Sequence, residues 1–281
     1  MKTKLIYLGR GVLNLVLVLA ILSGFQLLIR RRVPDTVGMF SACVLLVVLY
    51  LAGVRYIERR HPSELLDKRW LKEFLSGIAL GLSLFTAVML ALWIVGVYHP
   101  ASWGSLAPLA RGLLFALVAA TVEEIVFRGF LFRLSAKLFG TWGALLLTSA
   151  LFGAAHAFNP GATVGSSVAI ALEAGILLGA AYALTQRLWL PIGVHLGWNF
   201  AEGAIFGMSV SGTAKQASLI TGSLHGRSLL TGGAFGPEAS VLAVIICLAA
   251  AIYLIARTVR LARLEPPIWS KTSAAPQPTL P

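Results

Sequence analysis

An all-α, polytopic membrane protein with about eight transmembrane helices and a polar intramembrane cavity is the fold class that this sequence predicts. Three observations carry that expectation. The chain has 281 residues, 58% of them apolar and only 12% charged, whereas a soluble domain carries roughly 45–50% apolar and about 25% charged residues. Its mean hydropathy is +0.84. Half the usual charge cannot coat a globule of this size with polar surface, which excludes a soluble enzyme. The third observation is spacing: apolar runs recur near the roughly 20 residues that a helix needs to cross about 30 Å of hydrocarbon.

Taken in order, the runs are Gly11–Ile29, Gly38–Val54, Phe74–Val97, Ala107–Phe132, Trp142–Phe158, Val168–Leu184, Leu190–Phe206 and Ala239–Ile255. The first begins beside Lys2, Lys4 and Arg10 and is followed by Arg30, Arg31 and Arg32 rather than by a small-residue cleavage site. It reads as an uncleaved anchor. The stretch Val54–Lys72 mixes both signs of charge with Ile57, Leu65, Leu66, Trp70 and Leu71, the pattern of an amphipathic helix lying on the cytoplasmic surface. Met208–Pro237 is long and rich in Gly and Ser; it reads as a segment outside the membrane, either a mobile cover or a linker. The proline-rich tail Glu265–Pro281 reads as disordered. Three regions result: N-terminal helices with the amphipathic segment over 1–105, a core over 106–206, and the outside loop, last helix and tail over 207–281.

The charge is lopsided, at +12 with an isoelectric point near 10.3. On so apolar a chain this points to loops that face anionic lipid, not to nucleic acid. Most of the 23 basic residues fall on inside segments when both termini are cytoplasmic, although Arg30–Arg32 then lies on an outside loop. Cys43 and Cys247 each sit in an apolar run and read as small apolar side chains.

Against this background the ionisable residues at depth stand out, because each costs about 2.5–3.5 kcal/mol to place at the centre of a bilayer. The fourth run holds Glu123, Glu124 and Arg128. Arg128, four residues after Glu124, shares its helix face, and Glu123 points elsewhere. The fifth run ends near His156, after Gly153, Ala154 and Ala155. The seventh stacks His195 over Asn199 on one face. Counted from the cytoplasmic ends of their helices, Glu124, His156 and Asn199 lie about 20, 21 and 18 Å deep, and His195 about 12 Å. Polar groups from three helices therefore share a layer. Glu173 and Glu202 are further buried acids, either cavity-lining or interhelical.

A carboxylate and an imidazole that face one point can deprotonate and orient a water. A second imidazole and a carboxamide supply donors for the charge that develops on an attacked carbonyl. The same residues leave a zinc route open, with His156, His195 and Glu123 as ligands and one position free. Two other readings use the same groups: a non-proteolytic membrane immunity or scaffold protein with a structural polar core, and a proton-coupled transporter.

Glu123-Glu124-x-x-x-Arg128, Phe152-x-x-x-His156 and His195-x-x-x-Asn199, in this order on three apolar blocks, resemble the three motifs of the CPBP family. These are the CAAX-protease and bacteriocin-processing (Abi) membrane proteases, related to the type II CAAX prenyl endopeptidase. The resemblance covers about Leu106–Phe206. It implies an eight-helix intramembrane endopeptidase of a bacterial plasma membrane, which reaches peptide or protein substrates from the lipid. It further implies that Glu123 is the general base, that His156 orients the water, and that His195 and Asn199 stabilise the oxyanion. Glu124 and Arg128 would structure the motif.

Overall fold

The computed structural model describes residues 2–29 and 33–270. Arg30–Arg32 and the tail beyond 270 lie outside the described residues, so the expectations that fall on them are not addressed. Eight helical rods run through the rest: α1 (Lys2–Ile29), α2 (Asp35–Ile57), α3 (Trp70–Ile94), α4 (109–139), α5 (141–156), α6 (Val164–Thr185), α7 (189–205) and α8 (Val241–Arg260). Each coincides with one of the eight apolar runs. Five of them, α1, α2, α3, α6 and α8, are long and apolar enough to cross a membrane. The other three carry the motif side chains. Large apolar groups such as Leu146, Ile94 and Ile252 stay exposed on the outside of the bundle, as a lipid-facing surface requires.

The fourth and fifth rods are one helical run folded at Gly140, whose φ of 73° lies in the left-handed region. Several rods loosen locally into π-helix: Ile125–Phe132 in α4, Ala171–Gly175 in α6 and Ala201–Ile205 in α7. Such turns free backbone carbonyls from the regular ladder. The closest packing joins α3 and α7 through facing small residues. A Cβ built on Gly77 would stand 2.5 Å from the Leu190 carbonyl oxygen and 2.9 Å from the Gly193 Cα, and Gly81, Gly193 and Gly197 are equally occluded by the opposite backbone. This is small-xxx-small packing on both partners, and it brackets His195.

Two expectations are corrected here. Val54–Lys72 is not an amphipathic helix: α2 ends at Ile57, and residues 58–69 form turns. Pro62 has no N–H for a helix, and Arg59 adopts a φ of 57°. The segment folds inward, burying Glu58, Glu64 and Leu65. Arg133 of α4 donates to Glu58 at 2.9 Å and to the Gly129 carbonyl at 2.7 Å, Arg60 bridges Glu58 and Glu64, and Asn14 of α1 donates to Glu58 at 2.9 Å. Burial alone would raise the Glu58 pKa, but Arg133, Asn14 and Arg60 together hold it below the usual carboxylate range.

The all-α expectation is corrected by a two-stranded antiparallel sheet. β1 (Tyr98–Trp103), just after α3, pairs with β2 (Ile220–Leu224) in the segment after α7, with a bulge between Pro100 and Ser102. The glycine-rich segment is therefore fastened rather than a plain linker.

Candidate active site

Glu123 and Glu124 end the regular part of α4, at the entry to its π-segment. Glu124 is fully buried and paired with Arg128, Oε1 to Nη1 at 2.8 Å, as the i,i+4 spacing predicts. The same oxygen lies 3.0 Å from Nδ1 of His195, a contact that sequence spacing gave no means to foresee. Arg128 also donates to the Gly175 carbonyl of the α6 π-segment at 3.2 Å, and its guanidinium carbon sits 4.7 Å from the centre of the Phe152 ring. A buried cation is thus held by one carboxylate, a freed carbonyl and an aromatic face.

Glu123 points away from that pair. Its Oε2 stands 3.9 Å from Nε2 of His156 and 4.0 Å from Nε2 of His195. The side chain is 31% exposed, yet this oxygen is itself buried and has no hydrogen-bond partner. Both imidazoles are oriented from behind. His156 Nδ1 lies 2.8 Å from the Phe152 carbonyl oxygen, which only accepts, so Nδ1 carries the proton and Nε2 presents a lone pair. His195 Nδ1 faces a carboxylate already paired with Arg128, so it too is the protonated nitrogen. Phe152, 1% exposed, is the floor: its ring lies 4.6 Å from His156 and 6.3 Å from His195.

A water 2.8 Å from both Glu123 Oε2 and His156 Nε2 would subtend an angle of about 90° at its oxygen, close to hydrogen-bonding geometry. The donor set also has the chemistry of a zinc site, including back-side partners on both imidazoles. The spacing does not match: ligands around a tetrahedral zinc stand about 3.3 Å apart, against 3.9 and 4.0 Å here. Among the described residues no group of three or more His, Cys, Asp or Glu side chains is placed to hold a metal.

Asn199, one turn beyond His195, lines two spaces. One is a cavity of about 240 Å³ bounded by Met39 of α2, Gly112, Ala116 and Ala119 of α4, Gly203 of α7, and residues 208–217. The other is a void of about 20 Å³ that touches His156 and His195. The larger cavity is mostly apolar, and Asn199 is the one motif side chain that lines it. Glu173 and Glu202 are buried, as expected, and Glu238 joins them from the turn before α8. Glu238 went unrecognised because it lies outside the apolar runs, where an acid gives no signal.

Fold and site together define a class: a bundle of apolar helices enclosing a carboxylate set between two imidazoles. Residues 105–201 match the family model described as Type II CAAX prenyl endopeptidase Rce1-like. That stretch runs from the start of α4 into α7 and contains every motif side chain, and it supports the CAAX-protease resemblance read from the motifs. No curated protein matches the chain, and no solved structure does.

Proposed function

We propose that this protein is an intramembrane endopeptidase of the CAAX type that hydrolyses peptide bonds with a water activated by Glu123. The observation that carries the reading is the placement of the unpartnered Glu123 Oε2 opposite Nε2 of both His156 and His195. Glu123 takes one proton of the water as general base, while the His156 Nε2 lone pair accepts the other hydrogen and leaves an oxygen lone pair to attack the carbonyl. His195, as an imidazolium backed by the Glu124 carboxylate, donates to the oxyanion. Asn199 supplies the second donor. Glu124 and Arg128 hold this arrangement.

The apolar cavity bounded by α2, α4 and α7 takes the membrane-associated part of a peptide or protein substrate. All eight helices cross a bacterial plasma membrane in this reading, with both termini cytoplasmic and lipid around the exposed apolar faces. The wide ligand spacing favours direct water activation over zinc.

The test uses the purified chain in lipid vesicles with an internally quenched peptide bearing S-farnesyl cysteine. Glu123→Gln and His156→Ala should each lower kcat by at least about 10²-fold without loss of insertion, and a chelator should leave activity intact. Full activity in either variant sinks the assignment. Chelator inhibition reversed by zinc sinks the metal-free route.

A further inference from the structure

Glu173, Glu202 and Glu238 are 2%, 0% and 2% exposed, and none forms an ion pair among the described residues. Glu202 lies in the π-segment of α7, Glu173 in that of α6, and Glu238 in the turn before α8. Glu202 Oε1 lies beside the backbone two residues before Glu238, 3.3 Å from where a Cβ on Gly236 would stand, which brings the two carboxyls together; both Glu202 oxygens and Glu238 Oε1 lack a hydrogen-bond donor. Ionised carboxylates only accept, and two in contact in an apolar interior cannot both be charged. A proton shared between them converts the contact into an O–H···O bond. Such a pair can hold one proton in store.

A second observation says where that proton leads. The void of about 20 Å³ is lined by Glu238, Ser211, Trp198, His156 and His195, among others. That volume suits a single water. Trp198 is 6% exposed, and its indole N–H, like Glu238 Oε1, is buried without a partner. A water in this void would stand among Trp198 and Glu238, whose Nε1 and Oε1 atoms lack partners, and the imidazoles of the site.

We propose that Glu238, sharing a proton with Glu202, supplies the proton to the leaving amine through one water held in this void. The inference rests on the endopeptidase reading. In the first step hydroxide from the water adds to the carbonyl carbon, and its proton passes to Glu123. In the second the void water protonates the amide nitrogen and is itself reprotonated by Glu238, and the C–N bond breaks. Glu123 then holds the surplus proton and the Glu202–Glu238 pair lacks one. Its return restores both, and the net reaction consumes one water.

The test compares the same S-farnesyl peptide with its depsipeptide analogue, in which an ester oxygen replaces the scissile N–H. An alkoxide leaves far more readily than an amide anion, so only the amide needs the relay. Glu238→Gln should lower kcat on the amide by about 10²-fold or more and on the ester by less than about 10-fold. Glu202→Gln should show the same selectivity, because its carboxamide donates to Glu238 and leaves that acid ionised. Equal losses on both substrates, or none on either, overturn the relay alone. If neither variant folds, the wild type decides: the solvent deuterium isotope effect on kcat should be larger for the amide, and equal effects overturn the relay. A wild type that cleaves neither substrate overturns the endopeptidase reading and the relay with it.

Discussion

Substituting Gly77 by alanine tests whether backbone contact between α3 and α7 sets the catalytic geometry. The new Cβ would stand 2.5 Å from the Leu190 carbonyl oxygen and 2.9 Å from Val194 N, whereas ordinary contact begins near 3.4 Å. The helices must therefore separate locally by about 0.9 Å. Leu190 and Val194 belong to the turn that ends at His195, so the imidazole moves with them. A displacement of that size breaks the 3.0 Å contact between His195 Nδ1 and Glu124. Overpacking costs about 1–3 kcal/mol, and alanine regains about 1 kcal/mol of helix propensity over glycine. Net destabilisation is thus about 0–2 kcal/mol. Activity should suffer more, because misplacing a reacting group by about 1 Å costs about 10²-fold. Thermal unfolding and kcat, measured on the same vesicle preparation, separate the two effects. A Gly77→Ala protein with wild-type kcat would refute the coupling of helix packing to the site.

Three further outcomes are expected. Glu124→Gln keeps acceptors for Arg128 and His195 but removes the charge behind the imidazolium, so kcat should fall by about 10²-fold; Glu124→Leu should in addition cost about 3–5 kcal/mol in thermal or denaturant unfolding by stranding Arg128. Ala119→Leu narrows the 240 Å³ cavity and should raise KM by about 10-fold with kcat little changed, as loss of uniform substrate binding requires. Glu58 has a folded-state pKa below its unfolded value, so its contribution is present above about pH 4.3 and is lost as the pH falls through the folded value. Acid melting curves of the wild type should show that loss, and those of Glu58→Gln should not.

The helices were legible because eight apolar runs of membrane length leave little else for the chain to do, and the spacing of Glu124 and Arg128 carried their pairing unaided. The site was legible in part: spacing put Glu124, His156 and Asn199 at overlapping depths, with His195 shallower, but only folding could show that His195 backs onto Glu124. Residues 54–72 have the composition of an amphipathic helix, but Pro62 cannot sit inside a helix without breaking it. The strands were hidden for a different reason. Tyr98–Trp103 and Ile220–Leu224 are short, pair across more than a hundred residues and include Pro100 at a bulge, so neither shows a strand pattern alone. Glu58 and Glu64 look like surface acids until Arg133 and Arg60 are brought to them.

The break at Gly140 carries a consequence for biogenesis. Glu123 and His156 sit on the two arms of a hairpin whose bend is held by a segment made after all eight helices. Thr141 N–H donates to the Glu265 carbonyl, Glu265 N–H to the Thr141 hydroxyl and Ile268 N–H to the Leu138 carbonyl, while Lys137 pairs with the Glu265 carboxylate. During synthesis the two arms emerge from the ribosome long before this latch does. The bend between the two arms is therefore fastened last, and a chain interrupted before residue 265 carries every motif on a hairpin without this latch.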